Sequence, residues 1–175
     1  MSEIFDQVTG DQDPLTKLLG KIPGFKGYVE RQSRRASDKL LRTMIADHFE
    51  ALWQRISGLQ KELINEGEIA YIDDLESAAI KLRQFIDRVR TASYGYSAFF
   101  AAVKIGEEEL AKLYEYDLAL LNSEAEVANA IDNVESSIGT DGLKAAIRNL
   151  TTLSQQCVDA FNKRAEVILG ESQSS

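Results

Sequence analysis

Four glycines, each placed after a long stretch of helical periodicity, constrain this chain more than any other feature. They are Gly67, Gly106, Gly139 and Gly170, and the segments that they end are about 30 to 40 residues long and almost lack proline. Glycine commonly ends an α-helix because it adopts a positive φ angle without steric penalty. We therefore expect an all-α fold, an elongated antiparallel four-helix bundle whose helices end at these glycines.

Apolar residues recur within each segment at steps of three and four, as on one face of an α-helix. In the first segment this stripe runs from Leu40 to Ile64, and in the second an apolar position repeats every seven residues from Leu75 to Val103. Such repeats are typical of helices that pack with a left-handed supercoil. The predicted helices begin near Tyr28, Asp73 (an N-cap with Glu76 in a capping-box position), Glu107, and Thr140 or Asp141.

The two ends of the chain differ from the bundle. Residues 1–27 are predicted to form an N-terminal arm with a short helix from Asp13-Pro14 to Gly20 and a turn at Pro23-Gly24. Its apolar residues favour packing on the bundle or on a partner. The bundle itself is predicted over residues 28–170, and residues 171–175 are predicted to be a disordered tail.

Composition limits the class of protein. The chain has 175 residues, 44% hydrophobic and 27% charged, which suits one globular domain. Cys157 is the one cysteine, so no intrachain disulfide is expected. The acidic N-terminus does not resemble a secretory signal, and the longest uncharged run is too short to span a bilayer. These features favour a cytoplasmic location, with peripheral contact to the inner face of the membrane as an alternative.

Charge is distributed unevenly along the chain, whose net charge is −8. Residues 26–42 have a net charge of +4, whereas residues 106–138 have a net charge of −8. The first of these blocks is the candidate binding patch, and its residues are Lys26, Arg31, Arg34, Arg35 and Lys39.

Three interpretations of this basic patch stay open. The first and third predicted helices run parallel, so the patch can lie level with Glu107, Glu108 and Glu109 and be neutralised there. Alternatively, it can contact an anionic membrane surface or a protein partner, because the preceding segment mixes basic with apolar residues. Nucleic acid is the least favoured partner, because the whole chain is negative and would repel phosphates.

Polar residues at apolar positions form the second group of candidates. Counting layers about the turns brings His48 level with Glu124, a pair that can act as a general base or simply join two helices. A second layer collects Tyr94, Tyr96, Tyr116 and Asp117, and Asp117 interrupts an apolar stripe, so we expect it to be buried and paired. Cys157 falls on the inward stripe of the fourth helix, as a core residue.

No metal site or cofactor is predicted. A di-iron site in a helical bundle needs two Glu-x-x-His motifs, and Ile45 occupies the position three residues before His48, the one histidine. The chain also lacks a cysteine cluster.

Three stretches, PGFKGY, RQSRRASDKLLR and LYEYDLALL, resemble a group of small all-helical prokaryotic proteins to which no activity is assigned. The resemblance covers most of the chain and implies a helical fold. It implies no functional residue.

The sequence favours a non-enzymatic helical interaction or scaffold module. Protein partners or self-association are expected, because Met44 and Trp53 suggest a second apolar stripe outside the core-facing one. The alternative is a small-molecule-binding or enzymatic bundle that uses the layer of tyrosines around Asp117.

Overall fold

The computed structural model describes the backbone of residues 34–92 and 107–171, and the side chains of residues 40–92 and 115–163. Four α-helices make up these ranges: α1 Arg34–Asn65, α2 Ile72–Thr91, α3 Glu107–Ser137 and α4 Leu143–Glu171. A 3-10 helix, Ile69–Tyr71, joins α1 to α2. The prediction of an all-α four-helix bundle is therefore confirmed. The N-terminal arm lies outside the described residues.

Packing follows the predicted three-four spacing. Leu41, Ile45, Phe49, Leu52 and Ile56 of α1 are buried, and each of the other helices contributes a similar stripe to one continuous core. Phe85 of α2 lies at its centre. Its ring is 4.7 Å from that of Phe49 and 6.3 Å from that of Phe161, both in edge-to-face geometry. Aromatic pairs in this orientation add to the stabilisation that burial provides.

The helices are arranged so that α1 packs on α2 and α3, and α4 packs on the same two helices. Residue numbers rise along both helices from the contact of His48 with Glu124 to that of Arg55 with Asp132. Helices α1 and α3 therefore run parallel, as predicted. Neighbours joined by a short turn, α1 with α2 and α3 with α4, run antiparallel. Within the described ranges, α2 and α3 lie diagonally across the bundle, although the layer count placed them side by side.

The end of α1 confirms one of the glycine predictions. Gly67 has a φ angle of 77°. Its N–H donates to the Ile64 carbonyl at 3.2 Å, and the Glu68 N–H donates to the Leu63 carbonyl at 2.8 Å. This pair of hydrogen bonds is the Schellman motif, which satisfies the last carbonyls of a helix and needs a left-handed residue at this position.

The turn between α3 and α4 also contains a left-handed glycine, Gly139, with a φ angle of 77°. The helix that follows begins at Leu143 rather than at Thr140 or Asp141 as predicted. Thr140 instead stabilises the turn: its hydroxyl donates to the Ser137 carbonyl at 2.7 Å and accepts from the Gly142 N–H at 3.2 Å. Thr140 thus forms hydrogen bonds in the turn, three residues before the first residue of α4.

Two further predictions of helix ends are wrong, and one lies outside the described residues. Asp73 is in the first turn of α2 and is not its N-cap, because the preceding 3-10 helix places Tyr71 at that position without a side-chain cap. Gly170 does not end α4, which continues to Glu171. Gly106 is not among the described residues.

Candidate functional site

Several predicted site residues lie outside the part of the chain that the structure describes. Lys26, Arg31, Tyr94 and Tyr96 are among them. Arg34, Arg35 and Lys39 belong to the first turns of α1, but their side chains are not described. Glu107, Glu108 and Glu109 open α3, again without described side chains. Whether the basic patch is neutralised by these glutamates stays a prediction.

Asp117 is buried, as predicted, with 1% of its surface exposed. The parallel register of α1 and α3 places it close to the level of Leu41 and Arg42. Arg42 is 5% exposed, and its guanidinium donates to the Val89 carbonyl of α2 at 3.3 Å. Tyr116, the neighbour of Asp117, is half-buried. This layer therefore sets two charged side chains among the apolar layers of the bundle, where their position helps to define helix register.

His48 and Glu124 meet between α1 and α3, which confirms the predicted pairing. The imidazole Nδ1 lies 2.9 Å from the carboxylate Oε2, and both side chains are partly exposed, 47% and 33%. A second pair, Arg55 with Asp132, joins the same two helices two turns further along. His48 with Glu124 and Arg55 with Asp132 thus form two contacts that join α1 to α3.

Cys157 belongs to the core, as predicted. Burial, together with the nearby charge of Glu126, raises the pKa of its thiol to about 12. The thiol is therefore protonated at physiological pH and is a poor nucleophile. Within residues 34–92 and 107–171, no group of three or more His, Cys, Asp or Glu side chains could hold a metal ion. In the same ranges, none of the helices combines the length and apolar character needed to cross a bilayer.

An ion-pair network covers one half of the face that α1 and α2 form together. Glu50 accepts two hydrogen bonds from Arg83, at 2.6 and 2.8 Å, and one from Arg90 at 2.9 Å. Arg90 also donates to Asp47 at 3.0 Å. The hydrogen bonds that Arg83 donates are the main reason that the pKa of Glu50 is lowered. The bonds that Arg90 donates to Asp47 and Glu50 raise the pKa of Arg90.

Trp53 lies beside this network and is not part of a free second stripe. The guanidinium carbon of Arg83 is 4.0 Å from the centre of the Trp53 ring, a cation–π contact. Trp53 and Met44 are both half-buried and pack against the core. Met44 and Trp53, which suggested a self-association stripe, thus pack within their own bundle.

The other half of the α1–α2 face carries the large apolar side chains that are exposed in the described part of the chain. They are Ile64, Ile69 and Ile80, with exposed fractions of 55%, 65% and 59%. Gln60 of α1 donates to Glu76 of α2 across the same groove. Ile64 and Ile80 each follow one of these residues by four positions. Because α1 and α2 run antiparallel, they lie one turn to opposite sides of this contact, Ile64 toward Gly67 and Ile80 toward Arg83. Ile69 lies in the 3-10 helix at the end of the groove.

Acidic residues are concentrated in the sequence around two of these isoleucines, Ile64 and Ile69. Residues 62–76 contain six acidic residues and no basic one. Within the described side chains none of the six forms an ion pair, in contrast to Glu50 and Asp47. We call Ile64, Ile69 and Ile80, together with these acids, the isoleucine surface; the acids are Glu62, Glu66, Glu68, Asp73, Asp74 and Glu76.

Sequence reasoning missed this surface. It assigned both Leu63 and Ile64 to the core-facing stripe of α1, and the structure shows that Leu63 is fully buried whereas Ile64 is exposed. The uninterrupted acidic run of residues 62–76 was the available signal.

Comparison of the chain with protein-family models, with curated proteins and with solved structures found no match. The candidate surface therefore has to be interpreted from its own chemistry.

Proposed function

We propose that the chain is a non-enzymatic helical interaction module and that a protein partner binds its isoleucine surface. The observation that carries this proposal is the coincidence of three exposed isoleucines with six acids that form no ion pair among the described side chains. Contiguous exposed apolar side chains with a polar rim are typical of interaction sites. Single exposed apolar residues scattered over a surface would not carry the same weight.

The chemistry of the surface specifies the partner. A basic polypeptide segment with apolar residues would cover the isoleucines and place positive charges beside Glu62, Glu66 and Glu68. Fully burying one isoleucine side chain contributes about 1.5–3 kcal/mol, so covering three half-exposed ones supplies several kcal/mol. The acids would add specificity and faster association, and they would disfavour acidic partners.

The burial of Cys157 also supports a non-enzymatic role, because its thiol lies in the core with a raised pKa. The alternative of a ligand site around Asp117 depends on Tyr94 and Tyr96, which lie outside the described residues. Binding of an anionic membrane through the basic patch likewise stays a separate prediction.

Calorimetric titration with two synthetic amphipathic helices tests the proposal. The peptides share one leucine pattern, and one carries lysines where the other carries glutamates. The lysine peptide should bind the full chain, more weakly as salt increases, and the glutamate peptide should not bind.

Variants locate the binding site. Replacing Ile64 and Ile80 by serine should weaken binding of the lysine peptide at least about tenfold. Serine at Asn149 and Gln156, exposed positions on α4, is the matched control and should leave the affinity unchanged. Absence of lysine-peptide binding by monomeric protein, or equal binding by the isoleucine and control variants, would refute the proposal.

A further inference from the structure

We infer that the natural occupant of the isoleucine surface is a basic segment, residues 14–29, of a second copy of this chain. The inference rests on the proposed function, because it names the partner for the same surface. It also gives self-association a contact different from the apolar stripe of Met44 and Trp53.

The two segments are complementary in composition. Residues 14–29 contain three lysines and no acidic residue, and residues 62–76 contain six acids and no basic residue. Apolar residues lie between the lysines of the first segment, as Ile64 and Ile69 lie between the acids of the second. The basic segment can therefore supply both the charge and the apolar contact; its contributing residues are Lys17, Leu18, Leu19, Lys21, Ile22, Phe25 and Lys26.

Distance favours a second copy over the same chain. Arg34 begins α1 and Ile64 lies in its last turn, so about 45 Å of helix separate them at 1.5 Å per residue. Lys21 precedes Arg34 by 13 residues. Even a fully extended chain of that length spans only about 43–47 Å. Within one copy the segment would need nearly complete extension along the bundle, at a large cost in conformational entropy.

A second copy removes this limit. In each copy the basic segment precedes the first residue of α1 in the sequence, and the isoleucine surface lies at the last turn of α1 and beyond it. Two copies in antiparallel orientation can therefore exchange both contacts at once and close a two-fold dimer. Charges of the same sign would meet if two isoleucine surfaces faced each other, which disfavours that pairing.

Sedimentation velocity on full-length charge-reversal variants tests the inference. One variant carries Lys17→Glu, Lys21→Glu and Lys26→Glu, and it should be monomeric at concentrations where the unchanged chain is a dimer. A second variant reverses the surface with Glu62→Lys, Glu66→Lys and Glu68→Lys. It should also be monomeric, and its fold should tolerate lysine because cations are favourable near a helix C-terminus.

Mixing the two variants gives the decisive measurement. In the mixture each reversed segment meets an oppositely charged surface, so dimers should form again from two monomeric proteins. Combining all six substitutions in one chain should likewise restore the dimer. The matched control, Glu115→Lys, Glu126→Lys and Asp159→Lys, changes exposed acids elsewhere and should remain dimeric.

Other outcomes separate this inference from the proposed function. A monomeric unchanged chain that still binds the lysine peptide would refute the second copy and leave the interaction surface standing. Carbodiimide cross-linking of mixed isotope-labelled and unlabelled protein adds a direct check. Links between lysines of residues 14–29 and acids of residues 62–76 should join labelled to unlabelled chains. Links confined to single chains would overturn the inference.

Discussion

The two halves of the α1–α2 face differ in whether their charges are paired and their apolar side chains covered. In the half that contains Glu50, two carboxylates pair with Arg83 and Arg90, and a guanidinium covers the ring of Trp53. In the half next to Gly67, isoleucines are exposed and the acids of residues 62–76 have no basic partner among the described side chains.

This difference separates a surface suited to solvent from one suited to a partner. Paired charges over a half-buried aromatic ring leave little apolar area and little net charge for another molecule to recognise. An apolar surface with unpaired acids offers apolar area and negative charge to a partner. The negative charge also disfavours contact between two such surfaces. The contrast is what supports an interaction role for one half of the face and a structural role for the other.

The largest expected effect compares adjacent residues of α1, Leu63 and Ile64. Replacing the fully buried Leu63 by alanine should lower the free energy of unfolding by about 2–5 kcal/mol, because it leaves a cavity in the core. Ile64→Ala should change it by less than about 0.5 kcal/mol. Urea denaturation followed by circular dichroism measures both. A large loss for Ile64→Ala would mean that this residue packs within its own bundle.

The same pair of residues shows what the sequence could and could not predict. The three-four spacing of apolar residues predicted the helices, because such a stripe forms one face that must be buried. Gly67 and Gly139 predicted two of the turns, because glycine adopts the left-handed conformation without strain. Leu63 and Ile64 are both strongly apolar, and neighbours on a helix differ in direction by about 100°, so pattern alone did not decide which one faces the core. Tertiary packing decided it.

Among the candidate site residues, predictions based on register succeeded where helices are in contact. The level of His48 with Glu124 followed from counting layers about the turns, and the burial of Asp117 followed from its position in an apolar stripe of α3. The expected neighbourhood of α2 and α3 was wrong for the described residues, because sequence does not specify the order of helices around a bundle. The start of α2 was misplaced because the 3-10 helix moved the N-cap from Asp73 to Tyr71.

A second prediction concerns the paired half of the face. Glu50→Gln should lower the free energy of unfolding by about 1–2 kcal/mol, because Arg83 and Arg90 lose their shared charged acceptor. Glu62→Gln is the matched change in the isoleucine surface and should have an effect below about 0.5 kcal/mol. Equal losses in the two variants would remove the distinction between the halves.

A third prediction concerns two glycines of the α1–α2 hairpin. Gly67→Ala should destabilise the fold by about 1 kcal/mol, because alanine is strained at a φ angle of 77°. Gly58 is helical and has nothing within 4 Å of an added Cβ, so Gly58→Ala should stabilise by about 0.5–1 kcal/mol. Thermal denaturation should therefore shift in opposite directions, and a shift in the same direction would contradict the assigned turn.

The smallest expected effect is the pH dependence of the paired half. Because the pKa of Glu50 is lowered in the folded state, its contribution to stability is complete above the ordinary carboxyl pKa of about 4.3 and is lost as the pH falls through the lower folded value. The difference in unfolding free energy between the unchanged chain and Glu50→Gln should be constant from pH 6 to 8 and should shrink below about pH 4. A Glu50→Gln difference that stays constant into acid would mean that the charge of Glu50 does not stabilise the fold.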